Sequence, residues 1–115
     1  MEIINIYPEN ASKKMRYDLT SNPKNQKLST CEGQVLEIVA WCRYSDVDPK
    51  TGEVRELFSL QTHEGEVYAT NSASVWREFS RMVDMFGPDG ITAIEVSSGT
   101  SKNGRKFYTV SYAGE

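Results

Sequence analysis

Positively charged and aromatic side chains stand together at three places in the chain: Arg16 with Tyr17, Trp41 with Arg43, and Lys106 with Phe107. Aromatic rings stack on nucleobases, and lysine or arginine neutralises phosphates, so such pairs are suited to bind a single-stranded nucleic acid. The candidate nucleic-acid-binding residues are Lys13, Lys14, Arg16, Tyr17, Trp41, Arg43, Lys102, Arg105, Lys106 and Phe107.

The charge of the chain is unevenly distributed. The 115 residues carry 13 basic and 16 acidic side chains, and this net charge of −3 disfavours a surface that binds nucleic acid all over. Residues 10–30 hold five basic side chains against one acidic, and residues 96–115 hold three against one, whereas residues 31–95 hold five against twelve. Binding is therefore predicted on one face, formed by the basic N-terminal arm and the last hairpin.

No arrangement typical of catalysis or metal binding is present in the sequence. His63 is the only histidine and falls in a predicted turn without a nearby nucleophile. Asp46–Gly52 is similar to the start of a calcium loop, but Leu57 stands where the bidentate glutamate is needed. Cys31 and Cys42 match no zinc or redox spacing. We therefore expect no enzyme, no catalytic residue, no metal and no cofactor.

The sequence contains no targeting signal. The N-terminal residues have neither the basic nor the apolar region of a signal peptide, and no apolar run reaches the length of a membrane helix. Two free thiols are typical of a reducing compartment. We expect a cytoplasmic protein that does not interact with membranes.

Alternating apolar and polar side chains predict the first hairpin. In residues 34–44, the even-numbered positions from 36 onward are all apolar, and the odd-numbered positions are mixed. The even face is therefore predicted to be core, and Trp41 and Arg43 on the other face are predicted to be at least partly solvated. The turn-rich segment Asp46–Gly52 leads into a second strand at Val54–Gln61.

One helix interrupts the strands. A short strand is predicted at Glu66–Thr70, and the apolar spacing then changes to that of a helix over Ser74–Phe86. Asn71, Ser72 and Ser74 are candidate N-caps, and Gly87 followed by proline ends the helix.

A basic hairpin follows the helix. Strands are predicted at Thr92–Ser98 and Arg105–Ala113, joined by a turn that contains an Asn-Gly pair. The alternation in the second strand places Tyr108 on the core face and Phe107 on the solvent face.

This order of elements predicts a mainly β protein with one helix, an OB-fold-like five-stranded Greek-key barrel. Ahead of it we expect a strand at Ile3–Tyr7 and a polar arm with a turn of helix around Ser12–Leu19. Residues 1–32 are assigned to the N-terminal strand and basic arm, and residues 33–115 to the OB-like part of one structural domain. An α+β sheet with the helix on one face is the alternative.

The second half of the chain resembles the small single-stranded DNA-binding proteins that tailed phages encode for their own replication. The similarity lies in VYATNSASVWREF and ITAIEVSSGTSKNGRKFYTVSY, and it covers about residues 33–113. The shared pattern is a short strand, a helix and a hairpin of Ser-Lys-x-Gly-[Arg/Lys]-x-Phe/Tyr character.

The resemblance implies a non-catalytic protein in the host cytoplasm that coats displaced strands, removes their secondary structure and protects them from nucleases. The family's stacking and phosphate-binding residues would correspond to Trp41, Arg43, Arg105 and Phe107. Replication proteins are possible partners, and the oligomeric state is left open. Tail-mediated recruitment is not supported, because the last four residues carry only one acidic side chain.

Two other functions agree with the same sequence. The acidic middle of the chain could dock a basic protein, or mimic DNA, as an interaction or inhibitor module of a phage or mobile element. An OB-like domain that binds RNA is not distinguished from one that binds DNA.

Overall fold

The computed structural model describes residues 1–115 as seven β-strands and two α-helices. The strands are β1 (Glu2–Tyr7), β2 (Gln26–Lys27), β3 (Val35–Val47), β4 (Val54–Thr62), β5 (Val67–Thr70), β6 (Ala93–Thr100) and β7 (Lys106–Tyr112), and the helices are α1 (Lys13–Thr20) and α2 (Ala73–Phe86). The mainly β character is confirmed, but there are two helices where one was expected and seven strands where five were expected. Neither helix has the length and apolar character that crossing a membrane requires.

The long strand β3 joins the two halves of a curled sheet. Its first residues, Val35–Glu37, pair with β6, whereas Ile38–Val47 pair with β4, and β1 pairs with β3 on the side not occupied by β4. β5 extends the sheet beyond β4, and β7 extends it beyond β6. β2 pairs in parallel with the other edge of β5, and neither β2 nor β5 pairs with β7. The structure is therefore a curled half-barrel with an open seam rather than a closed barrel, and it is consistent with an OB-like fold.

A β-bulge at Val39 shifts the alternation of β3. The pairing register with β4 slips between Ile38 and Ala40, and such an extra residue exchanges the two faces of a strand. Leu36 and Trp41 therefore both contribute to the inner core. The apolar even positions are buried as predicted except Ile38, which is half-buried, but Ala40, Cys42 and Tyr44 lie in a second cluster on the outer face of the sheet.

The helix α1 covers this outer cluster. Ser12 caps the helix by accepting a hydrogen bond from the Met15 amide, and Leu19 packs against the outer face of β3. The Ser59 hydroxyl on β4 donates to the Leu19 carbonyl. The helical turn expected around Ser12–Leu19 is confirmed, and its packing explains why both faces of β3 are buried near its middle.

The helix α2 supplies most of the aromatic packing in the inner core. Ser72 accepts a hydrogen bond from the Val75 amide, and Gly87 ends the helix with a positive φ of 85°. Phe79 lies 4.5 Å from Phe58 and 5.3 Å from Trp41, measured between ring centroids. The predicted helix is confirmed within one residue at its start.

The last hairpin has the predicted facing. Val110 is buried, Tyr108 is half-buried, and Phe107 is exposed. Gly99 stands opposite Phe107, and a Cβ at Gly99 would come within 2.6 Å of the Phe107 ring. The tip of the Phe107 ring therefore lies over Gly99, where a larger residue would force the ring to move.

Candidate nucleic-acid interface

A cleft of about 470 Å³ opens at the seam between β5 and β7. β5 contributes Ala69 and Thr70 to its lining, and β7 contributes Tyr108. The remaining lining residues come from β2 and the residues just after it, from β4 and from the two residues before α2: Lys27, Ser29, Arg55, Leu57, Asn71 and Ser72. We call this the seam cleft.

The seam cleft is basic and carries one aromatic ring. Lys27 and Arg55 line it, no acidic side chain does, and Tyr108 presents a half-buried ring. Arg55 approaches Asp48 only to 4.0 Å, and Lys27 has no ion-pair partner. Both cations are therefore available to an anionic ligand.

The hairpin between β6 and β7 extends the basic surface from the rim of the cleft. Lys102 and Arg105 are exposed and have no ion-pair partner. The Lys106 ammonium lies 5.3 Å from the centroid of the Tyr108 ring, and it also contacts the Glu32 carboxylate at 2.8 Å. The hydrogen bond between Lys106 and Glu32 lowers the pKa of the Glu32 carboxyl and raises the pKa of the Lys106 amine.

Replacing Glu32 with glutamine is expected to strengthen the binding of single-stranded nucleic acid. With its pKa lowered, the Glu32 carboxylate stays charged at neutral pH and holds Lys106 as an ion pair. The variant frees one cation, and one added phosphate contact steepens the slope of log K against log salt by about 0.7. Titrations of an oligonucleotide at several salt concentrations measure this slope. The double variant Glu32→Gln with Lys106→Gln is the control and should lose the gain; an unchanged slope in Glu32→Gln would contradict the expectation.

The basic residues of the arm are partly occupied by contacts within the protein. Lys14 pairs with Asp18 at 2.9 Å, and the Arg16 guanidinium donates to the carbonyls of Glu9 and Ala11. Lys13 is exposed without an ion-pair partner, and Tyr17 is also exposed. None of the four predicted arm residues lines the seam cleft.

The structure corrects the predicted positions of Trp41 and Arg43. The side chain of Trp41 is only 1% exposed, and its Nε1 donates to the Pro88 carbonyl at 3.1 Å. Arg43 is also buried; it pairs with Glu56 at 2.7 Å and lies 5.0 Å from the Trp76 ring centroid. The prediction that both face solvent is wrong, because the bulge at Val39 turns them inward, and neither offers a surface to a nucleic acid.

Sequence reasoning missed the residues that line the seam cleft. Lys27 lies in the basic arm without an aromatic neighbour, Arg55 belongs to the acidic part of the chain, and the alternation of the last strand predicts Tyr108 in the core. The shortness of β5 was the one signal that could have indicated this cleft. A strand of only four residues leaves part of its neighbour β4 without a partner on that side.

The groups that could perform other chemistry are separate from this surface. Cys31 and Cys42 are free and buried, and burial raises the pKa of the Cys42 thiol to about 11. His63 is exposed on a turn. No group of three or more histidine, cysteine, aspartate or glutamate side chains is placed to hold a metal ion.

A mainly β half-barrel with a basic, aromatic cleft is consistent with the OB-like folds, which bind oligonucleotides. The model of the family described as phage single-stranded DNA-binding protein matches residues 9–113. The chain therefore belongs to this family and binds single-stranded DNA in phage replication, as the resemblance predicted. The match includes most of the arm. Comparisons with curated proteins and with solved structures gave no match.

Proposed function

We propose that the protein is a non-catalytic binder that coats single-stranded DNA with little sequence preference, and that the strand enters the seam cleft. The observation that carries this proposal is the convergence of Lys27, Arg55 and Tyr108 in a cleft without acidic side chains. From the cleft the strand continues along the β6–β7 hairpin, where Lys102 and Arg105 meet further phosphates.

The chemistry of these contacts explains the lack of sequence preference. Phosphates are the same in every nucleotide, and every base has a flat face that can stack on Tyr108 or Phe107. In a duplex those faces are already stacked on neighbouring bases, so the protein favours the open strand and removes secondary structure. Coating also keeps nucleases from the backbone.

We further propose that residues 33–115 form most of the binding half-barrel and that residues 1–32 act as an arm, which adds Lys27 to the seam cleft. The exposed Lys13 and Tyr17 would give the arm a second, weaker contact with the strand, alongside Lys14 and Arg16. Because the family acts on replicating phage DNA, the site of action would be the host cytoplasm, with replication proteins nearby.

Titration of a fluorescein-labelled oligo-dT, followed by anisotropy, tests the proposed function. Intrinsic tryptophan fluorescence is a poor signal here, because Trp41 is buried and Trp76 packs against the inner core. We expect affinity to fall with salt by a slope of about −0.7 for each phosphate contact. Parallel titrations with oligo-U and with duplex DNA measure the affinity of the protein for RNA and for paired strands. Equal affinity for duplex and oligo-dT would overturn the proposed stacking.

Replacing Phe107 with alanine is expected to weaken oligo-dT binding by about 5- to 150-fold, corresponding to roughly 1–3 kcal/mol for one stacked base. The ring is 38% exposed, so the fold should be retained, as circular dichroism can verify. Phe86→Ala is the matched control, because Phe86 is 43% exposed and contacts Tyr112 away from the cleft. An equal loss in both variants would show that Phe107 does not stack on the strand.

A further inference from the structure

A second groove, separate from the seam cleft, lies where β3 begins and β4 ends. It consists of two adjoining depressions of about 290 Å³ and 590 Å³ that share Val35, Glu37 and His63. No residue of the seam cleft lines either depression. We call this surface the acidic groove.

The charge of the acidic groove is the opposite of that of the seam cleft. Glu37, Glu64 and Glu115 line it, and no lysine or arginine does. Such a surface repels phosphates. The strand that occupies the seam cleft is therefore not expected to cross the acidic groove, whose charge favours a cationic ligand.

The acidic groove also presents apolar side chains to solvent. Val35 is 56% exposed and Val39 is 42% exposed, although both belong to the longest strand of the sheet. The bulge places Val39 outside the regular pairing between β3 and β4. A ligand that covered these valines would gain the free energy of removing their apolar surface from water.

One buried hydroxyl in the acidic groove lacks a partner. Thr62 stands opposite Ile38 in the sheet, lines the smaller depression and is only 5% exposed. Its Oγ1 is the one buried side-chain polar atom in the protein without a hydrogen bond. Buried polar groups are usually paired, so this unpaired hydroxyl costs free energy in the folded protein.

We propose that the acidic groove docks an extended peptide segment of a replication protein, in which lysine or arginine alternates with apolar residues. The cations would meet Glu37 and Glu64, and the apolar residues would cover Val35 and Val39. Charge complementarity selects this occupant over nucleic acid. Because the acidic groove and the seam cleft share no residue, the protein can hold a partner and a DNA strand at the same time.

The test uses a fluorescein-labelled peptide of eight residues, alternating lysine and valine, with blocked ends, titrated with the full chain at low salt. We expect the double variant Glu37→Lys with Glu64→Lys to bind the peptide at least about tenfold more weakly than the unmodified protein does, with oligo-dT affinity retained. The control is Asp84→Lys with Asp89→Lys, which changes the net charge equally at exposed positions outside the groove. The control should bind the peptide normally.

A second measurement locates the peptide independently of the variants. Amide chemical shifts of ¹⁵N-labelled protein are expected to change around residues 35–39 and 62–64. Shifts confined to another surface, an equal loss of binding in both double variants, or no binding by the unmodified protein would each overturn the proposal. A dimer in sedimentation that Glu37→Lys dissociates would also overturn it, because the occupant would then be a second copy of this chain.

Discussion

The replacement of Trp41 by alanine is expected to lower the free energy of unfolding by about 3–5 kcal/mol, as is typical of large-to-small changes at buried aromatic positions. The ring contacts both Trp76 and Phe79, and its Nε1 hydrogen bond to Pro88 joins β3 to the end of α2. The variant leaves a cavity where these elements meet and leaves the Pro88 carbonyl without this donor. Because domains are stable by only about 5–15 kcal/mol, much of the native stability would be lost.

Urea denaturation followed by far-ultraviolet circular dichroism measures this loss, and Phe107→Ala provides the contrast. Phe107 is a large aromatic residue too, but it lies over Gly99 on the surface, so its removal should cost about 1 kcal/mol or less. Trp41→Ala should therefore unfold readily, whereas Phe107→Ala should fold but bind DNA weakly. The two variants thus separate an effect on stability from an effect on binding. A Trp41→Ala protein with unchanged stability and reduced DNA affinity would restore the interpretation of Trp41 as a stacking residue.

The sequence predicted best those features that depend on neighbouring residues. The helix α2 lies between Ser72 and Gly87, which have the cap geometry that their residue types favour. The turn before β7 likewise follows from Gly104, whose φ is positive. In each case the residues that determine the structure are close together in the chain, so the local sequence pattern is sufficient to predict it.

The sequence could not predict which side chains of β3 lie on which face, because no residue type in the sequence indicates the bulge. Val39 is as apolar as its neighbours, and no glycine or proline stands near it. A strict alternation through residues 34–44 therefore put Trp41 and Arg43 on the wrong face. Their burial also depends on the packing of α2 and on the ion pair with Glu56, and both of these are long-range contacts.

The seam cleft could not be predicted from the sequence either, because its residues come together only in the folded sheet. β2 has only two residues and pairs in parallel with β5, which a polar arm does not indicate. That pairing occupies the edge of β5 and brings Lys27 to the seam. The charge distribution predicts a basic surface at the arm and the last hairpin, but Arg55 lies in a segment with an acidic excess. Composition therefore does not distinguish Arg55 from an ordinary surface residue.

Neutralising both cations of the seam cleft, by Lys27→Gln with Arg55→Gln, is expected to weaken oligo-dT binding by about 150-fold at low salt. This magnitude assumes roughly 1.5 kcal/mol for each hydrogen bond between a cation and a phosphate. The slope of log K against log salt should become less steep by about 1.4, because two phosphate contacts are removed. Both side chains are exposed, and Arg55 approaches Asp48 only at long range, so the fold should remain intact.

The matched control for this pair is Lys24→Gln with Arg81→Gln, which removes one lysine and one arginine from exposed positions outside the seam cleft. Both double variants lower the net charge equally, so a general electrostatic effect would weaken them alike. If only Lys27→Gln with Arg55→Gln lowers the affinity, the DNA strand binds in the seam cleft. If the first pair kept both the native affinity and the native salt slope, the strand would have to follow another surface, and the exposed cations Lys13, Lys102 and Arg105 would be the next to replace.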